Sequence, residues 1–169
     1  GLTVVTSLDI RTQETARRLL KEEIERRSGD LRVQTGAVVV LENGSGMIKS
    51  LVGGTEWSED NQFNRSFQAL RQPGSCFKPV IYAAALEEGY GPGSLISDSQ
   101  VFFDTWSPRN ADGGYLGRIT LRQALSQSRN VPAVKLFVSL GPENVISLAQ
   151  SMGLGREIPL VFPVALGAF

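Results

Sequence analysis

The sequence predicts an α+β fold. Two short apolar runs, residues 36–42 (GAVVVLE) and 47–52 (MIKSLV), are joined through Asn43-Gly44-Ser45-Gly46, a strong signal for an antiparallel hairpin. Beyond residue 75 the apolar positions instead follow the spacing of successive helices. At 169 residues and 41% hydrophobic content, the chain suits one domain or most of one and can bury a core.

Taken in order, residues 2–8 (LTVVTSL) are rich in β-branched side chains and read as a strand ending at Asp9. Apolar residues at 16, 19, 20 and 24 among charges then predict an amphipathic helix from Ile10 to Arg27, with Asp9 as N-cap and Gly29 as terminator. The run 36–42 is apolar on both faces, which places it centrally in a sheet covered by that helix. After Gly53-Gly54, residues 55–70 are polar and irregular, with Trp57, Phe63 and Phe67 as expected anchors. A helix follows from Cys76 to Glu88, stopped by Gly89, and Gly91-Pro92-Gly93 breaks any continuation. Residues 94–118 read as a long loop with turns at 106–110 and 112–115, and a loop of that length usually serves a purpose. Thr120 caps a short helix through Leu125; two more helices span residues 131–140 and 142–152, the last with Pro142 in its first turn and Gly153 after it.

Composition excludes several chemistries. Lys plus Arg and Asp plus Glu both total 17, so bulk charge gives no case for nucleic acid or an anionic membrane surface. No run reaches the roughly 18 apolar residues of a membrane span, and the N-terminus lacks a signal-peptide pattern. Starting in β-like sequence without an initiator methionine, the chain is expected to be a piece of something longer. With no histidine, a Ser-His-Asp triad, a Cys-His pair and every imidazole metal site are ruled out within these residues. The lone cysteine, Cys76, forms no disulfide here and reads as a small buried helix residue. Any nucleophile must use a lysine or a carboxylate as its base.

Two stretches could supply that chemistry. In Gln72-Pro73-Gly74-Ser75-Cys76-Phe77-Lys78-Pro79 the turn formers precede a helical run, so Ser75 sits at or near a helix start and Lys78, three residues on, can fold back onto its hydroxyl. Free N–H groups and the positive end of the helix dipole would favour an oxyanion there and lower the lysine pKa. A plain N-cap with a solvated first-turn lysine fits the same residues. Pro79 removes one early helical donor, so the first turn is expected to be tight or irregular. The second stretch is Ser126-Gln127-Ser128-Arg129-Asn130, between two helices. There Ser128 and Asn130 can project into one cleft while Arg129 points away, or either can cap the next helix.

The order Ser-x-x-Lys, then Ser-x-Asn about fifty residues later, resembles the penicillin-recognising serine acyltransferases. The flanks FNRSFQALRQPGSCFKP (63–79), WSPRN…GGYLGRITLRQALSQSRNVPAV (106–134) and VALGAF (164–169) are similar to the transpeptidase domain of class A penicillin-binding proteins, and the resemblance covers essentially the whole chain. It implies a β-lactamase/transpeptidase-like fold: an antiparallel sheet flanked by helices, with an all-helical subdomain. Residues 1–169 are then the N-terminal part of a penicillin-binding transpeptidase domain. The family's third motif, Lys-Thr-Gly or Lys-Ser-Gly on a sheet strand, does not occur here; by resemblance it lies beyond Phe169, on a C-terminal part that would be a partner of this chain.

The implied activity is a peptidoglycan D,D-transpeptidase that crosslinks the cell wall through a serine acyl-enzyme on D-Ala-D-Ala stem peptides and is acylated by β-lactam antibiotics, without metal or organic cofactor. Ser75 is the implied nucleophile, Lys78 its base, Ser128 the proton relay to the leaving amine, and Asn130 the residue that holds the donor amide and Lys78. The implied location is the extracytoplasmic face of the bacterial inner membrane, in the periplasm, anchored by a segment outside this chain. A β-lactamase-like hydrolase and a non-catalytic β-lactam-sensing or scaffold domain are the rival readings. No base for a deacylating water is identifiable, which speaks against the hydrolase.

Overall fold

The computed structural model of the chain describes residues 1–31, 33–154 and 157–169. They form two compact units, residues 1–71 and 72–169.

The first unit is one helix on a hairpin. Helix α1 spans Ile10–Leu31. Asp9 caps it as expected, its Oδ1 accepting from Thr12 N at 2.8 Å and Thr12 Oγ1 at 2.7 Å. The helix continues through Gly29 rather than stopping there. Strands β1 (Val38–Leu41) and β2 (Ile48–Val52) pair antiparallel, Val38 opposite Val52 and Leu41 opposite Ile48. Gly44 and Gly46, both at positive φ, make the turn. Ala16 and Leu20 bury against Val52, with Ile24 and Val38 packed beside them. Gln13 then locks helix to strand: its Oε1 accepts from Ser50 Oγ and Leu51 N, and its Nε2 donates to Leu51 O.

Three expectations for this unit need correcting. Residues 2–8 are not a strand; among the described residues Ser7 Oγ donates to Ile48 O and Asp9 N to Lys49 O of β2, while Val4 and Val5 are exposed. Among the described residues β1 has β2 as its sole neighbour, so it is not central, and Val39 and Leu41 are exposed. Trp57, Phe63 and Phe67 are exposed rather than anchoring.

The second unit is built around helix α2 (Lys78–Glu87), preceded by a 3-10 turn over Gly74–Phe77. Strands β3 (Leu95–Asp98) and β4 (Gly117–Thr120) pair antiparallel, so the predicted long loop 94–118 is a hairpin with its own irregular excursion. Short strands with few β-branched residues carry little sequence signal. Helix α3 (Leu121–Ser126) begins in a capping box in which Thr120 accepts from Gln123 N while the Gln123 side chain accepts from Thr120 N. Helices α4 (Asn130–Leu140) and α5 (Pro142–Ser151) follow, then a 3-10 turn over Phe162–Leu166. Phe77, Ile81, Ala85, Ala124, Val134 and Phe137 lie in the continuous core that joins these helices. Cys76 faces outward and is exposed, contrary to the expectation of a buried thiol.

The chain's last turn sets the start of α2. Gly74 N donates to Gly167 O at 3.2 Å, and a Cβ on Gly167 would run into the backbone N, Cα and O of Gly74. Both glycines also have positive φ. Phe169 closes the contact edge-on against Phe77, centroids 5.2 Å apart. Gly167→Ala is therefore expected to destabilise the fold by about 2 kcal/mol or more, left-handed strain and a backbone clash acting together. Urea unfolding measures it, and an unchanged midpoint would show that the crossing is not as close as described.

Candidate active site

Residues 72–79 start a helix without a side-chain cap. Pro73 occupies the N-cap position of the 3-10 turn with no side-chain hydrogen bond, and Lys78 N donates to Ser75 O. Pro79 stands at the first turn of α2, where its missing donor costs nothing, so the irregular start has the expected cause. Ser75 is exposed, and among the described residues its hydroxyl makes no hydrogen bond within the chain. The capping reading of Ser75 does not hold.

Lys78 is the opposite case. It is 1% exposed, set among the core residues of α2, and its ammonium needs partners. Three acceptors surround it: Ser128 O at 2.6 Å, Ser128 Oγ at 3.0 Å and Asn130 Oδ1 at 2.6 Å. Those match the three donors of an ammonium. Burial still lowers its pKa from the usual lysine value to about 8. When the amine is neutral, the two carbonyl-type oxygens can keep its two N–H groups, and the lone pair is left for the Ser128 hydroxyl, the one partner that can donate as well as accept. The solvated-lysine reading is thus excluded.

The Ser128–Asn130 turn is held from outside. Ser128 has φ +52°, in the left-handed region that non-glycine residues rarely adopt. Neither Ser128 nor Asn130 caps α4: Arg129 is at the N-cap, and its side chain makes no capping hydrogen bond. Instead Asn110, twenty residues upstream, accepts from Asn130 N at 2.8 Å and Val131 N at 3.2 Å. Asn130 Nδ2 donates to Arg109 O at 2.9 Å, which turns Oδ1 toward Lys78. Arg129 does point away from Lys78, but into a buried network. Its Nε donates to Asp98 Oδ2 at 2.8 Å, Nη1 to Asp112 Oδ2 at 2.7 Å and Nη2 to Gly114 O at 2.6 Å. Asp98 is fully buried and also accepts from Asn110 Nδ2 and Leu116 N.

The structure therefore brings Lys78, Ser128 and Asn130 into one cluster and leaves the Ser75 hydroxyl outside its hydrogen bonds, on the turn just before Lys78. Sequence reasoning missed Asp98, Asn110 and Arg129. Residues 106–110 and 112–115 were visible as turns, but a pairing across 31 residues has no periodicity to betray it.

Comparison with known proteins gives a consistent result. The sequence model of the family described as "Penicillin binding protein transpeptidase domain" matches residues 36–165. Penicillin-binding protein 1A of Pseudomonas aeruginosa is 42% identical over 138 residues, covering 78% of this chain and 17% of the relative. Penicillin-binding protein 1A of Neisseria flavescens is 40% identical over 141 residues, covering 79% and 18%. Among solved structures, penicillin-binding protein 1A from Haemophilus influenzae superposes with a TM-score of 0.72 at 36% identity, over 79% of this chain and 21% of that one. The PonA1 protein from Mycobacterium tuberculosis in complex with penicillin V gives 0.77 at 26% identity, over 99% and 47%. The chain thus spans under a fifth of the length of these curated relatives.

Removing one partner of a buried charge pair leaves the other desolvated and unpaired. Asp98→Ala is accordingly expected to cost about 3–5 kcal/mol in urea unfolding. A loss under about 1 kcal/mol would mean that Asp112 and Gly114 alone satisfy Arg129.

Proposed function

The chain belongs to the penicillin-binding protein transpeptidase family, and from that premise we propose that it is the N-terminal part of a class A transpeptidase domain that crosslinks peptidoglycan. The observation that carries the reading is the buried Lys78 ammonium, held by Ser128 and Asn130 at the start of α2, three residues after an exposed, unengaged Ser75 hydroxyl.

The substrate is a stem peptide ending in D-Ala-D-Ala. Ser75 Oγ attacks the carbonyl carbon of the penultimate D-Ala, and its proton passes to neutral Lys78, directly or through the Ser128 hydroxyl. The backbone N–H of Ser75 faces the developing oxyanion and supplies one of its donors. Collapse of the tetrahedral intermediate breaks the peptide bond; the amine of the terminal D-Ala takes a proton delivered through Ser128 and leaves. An ester on Ser75 remains. An acceptor amine from a second stem attacks that ester, forms the crosslink amide and returns the Ser75 hydroxyl. A β-lactam follows the first half, opening its ring without losing the leaving group. We place the reaction at the extracytoplasmic face of the cytoplasmic membrane, where its polymer is built. No helix among the described residues is long and apolar enough to cross a membrane.

Ser75→Ala in the full-length protein should abolish covalent labelling by a fluorescent penicillin while leaving the unfolding midpoint near that of the unsubstituted protein. Labelling that persists would move the nucleophile elsewhere. The pH dependence carries a sign. Acylation needs the neutral amine, so its rate should rise about tenfold per pH unit below the Lys78 pKa of about 8 and level off above it. A rate constant that is flat from pH 5.5 to 9 would remove Lys78 as the base.

A further inference from the structure

Asn110 is 4% exposed and uses every hydrogen-bonding position of its carboxamide. Nδ2 donates to Asp98 Oδ1 at 2.7 Å and to Gly114 O at 2.8 Å; Oδ1 accepts from Asn130 N at 2.8 Å and Val131 N at 3.2 Å. Its orientation is not a free choice. A carboxylate and a carbonyl on one side can only accept, and two backbone N–H groups on the other can only donate, so the amide cannot flip without losing all four bonds. The same logic passes one step further. Arg109 O, the carbonyl next to Asn110, can only accept, so it fixes Nδ2 of Asn130 and leaves Oδ1 for Lys78. Asp98 thereby sets Asn110, and residues 109–110 set both the backbone and the side chain of Asn130.

Resting on the function proposed above, we propose that Asn110 is a positioning residue for acylation. It fixes the Ser128–Asn130 turn so that Ser128 and Asn130 hold Lys78 in register with Ser75. Arg129 restrains the turn from the other side through Asp98, Asp112 and Gly114, and Ser128 between them keeps its left-handed backbone. A residue that only capped α4 would affect how much protein folds. A positioning residue affects how fast each folded molecule reacts.

The experiment uses full-length protein and a fluorescent penicillin under saturating and subsaturating conditions, resolving the noncovalent dissociation constant, the acylation rate constant and the labelled fraction at completion. Asn110→Ala should lower the acylation rate constant about tenfold to a hundredfold, the scale on which a displacement of about 1 Å acts, with the labelled fraction near that of the unsubstituted protein and a smaller change in noncovalent affinity. Thr120→Ala, which removes the cap of α3 and whose side chain bonds Gln123 and no member of the Lys78 or Asn110 networks, is the control and should leave the rate constant within about threefold. Asn110→Asp keeps an acceptor for both helix N–H groups but sets a second carboxylate against Asp98. It is the less stable of the two variants, so its rate constant is read only on the molecules that take label, where lost folding lowers the labelled fraction and not the rate, and that rate constant should fall as well. An unchanged rate constant in Asn110→Asp, or a reduced labelled fraction at full rate in Asn110→Ala, would overturn the proposal and leave Asn110 a helix cap. An unsubstituted protein that takes no label would instead overturn the transpeptidase reading, and this inference with it.

Discussion

Burying one lysine places the strictest demand on the second unit of this chain. Lys78 starts helix α2 with its neighbours Phe77, Val80 and Ile81 in the core, and its head group lies where water cannot solvate it. An ammonium in that position has to be given acceptors, or it loses its proton outright. The chain supplies three, two of them from a single residue, Ser128, through its carbonyl and its hydroxyl. Ser128 presents both groups to that one nitrogen from a left-handed backbone, at φ +52°. That conformation costs on the order of 1–3 kcal/mol, and it persists because the residues on either side are tied down.

The ties explain why a polar network sits inside an apolar unit. Asp98, Asn110 and Arg129 are all buried: Asn110 uses all four positions of its carboxamide, Asp98 accepts from Asn110, Arg129 and Leu116 N, and Arg129 donates to Asp98, to the Asp112 carboxylate and to Gly114 O. A half-satisfied network of this kind would be worse than an apolar replacement, whereas a complete one fixes a single geometry. The hairpin β3–β4 places Asp98 at the end of its first strand, opposite Gly117, so the residue that anchors the turn belongs to regular structure and not to the irregular excursion it organises. At the start of α2, the Gly74–Gly167 backbone crossing, closed by Phe169 against Phe77, fixes the turn that carries Ser75. Ser75 and Lys78 are thus set by different parts of the chain that meet at the start of one helix.

The α+β class, the hairpin at 38–52, helices α1 to α5 to within a few residues, and the two motifs in their order are all legible in the amino-acid order. Each has a local cause: glycine-rich turns, a 3.6-residue apolar period, the Thr120–Gln123 capping box, Pro142 at a first turn. The absence of histidine alone narrows the chemistry of a nucleophile here to one activated by lysine or a carboxylate. The remainder depends on contacts between distant residues. Whether Ser128 and Asn130 were caps or something else turned on partners 20 to 50 residues away, and so did the burial of Lys78 and the inward turn of Arg129. Residues 2–8 have strand composition without a strand, because a strand exists only where a neighbour offers its ladder; β3 and β4 are strands with little strand composition for the same reason. Local propensity is written along the chain, but hydrogen bonds between buried polar groups are made only when folding brings distant residues together.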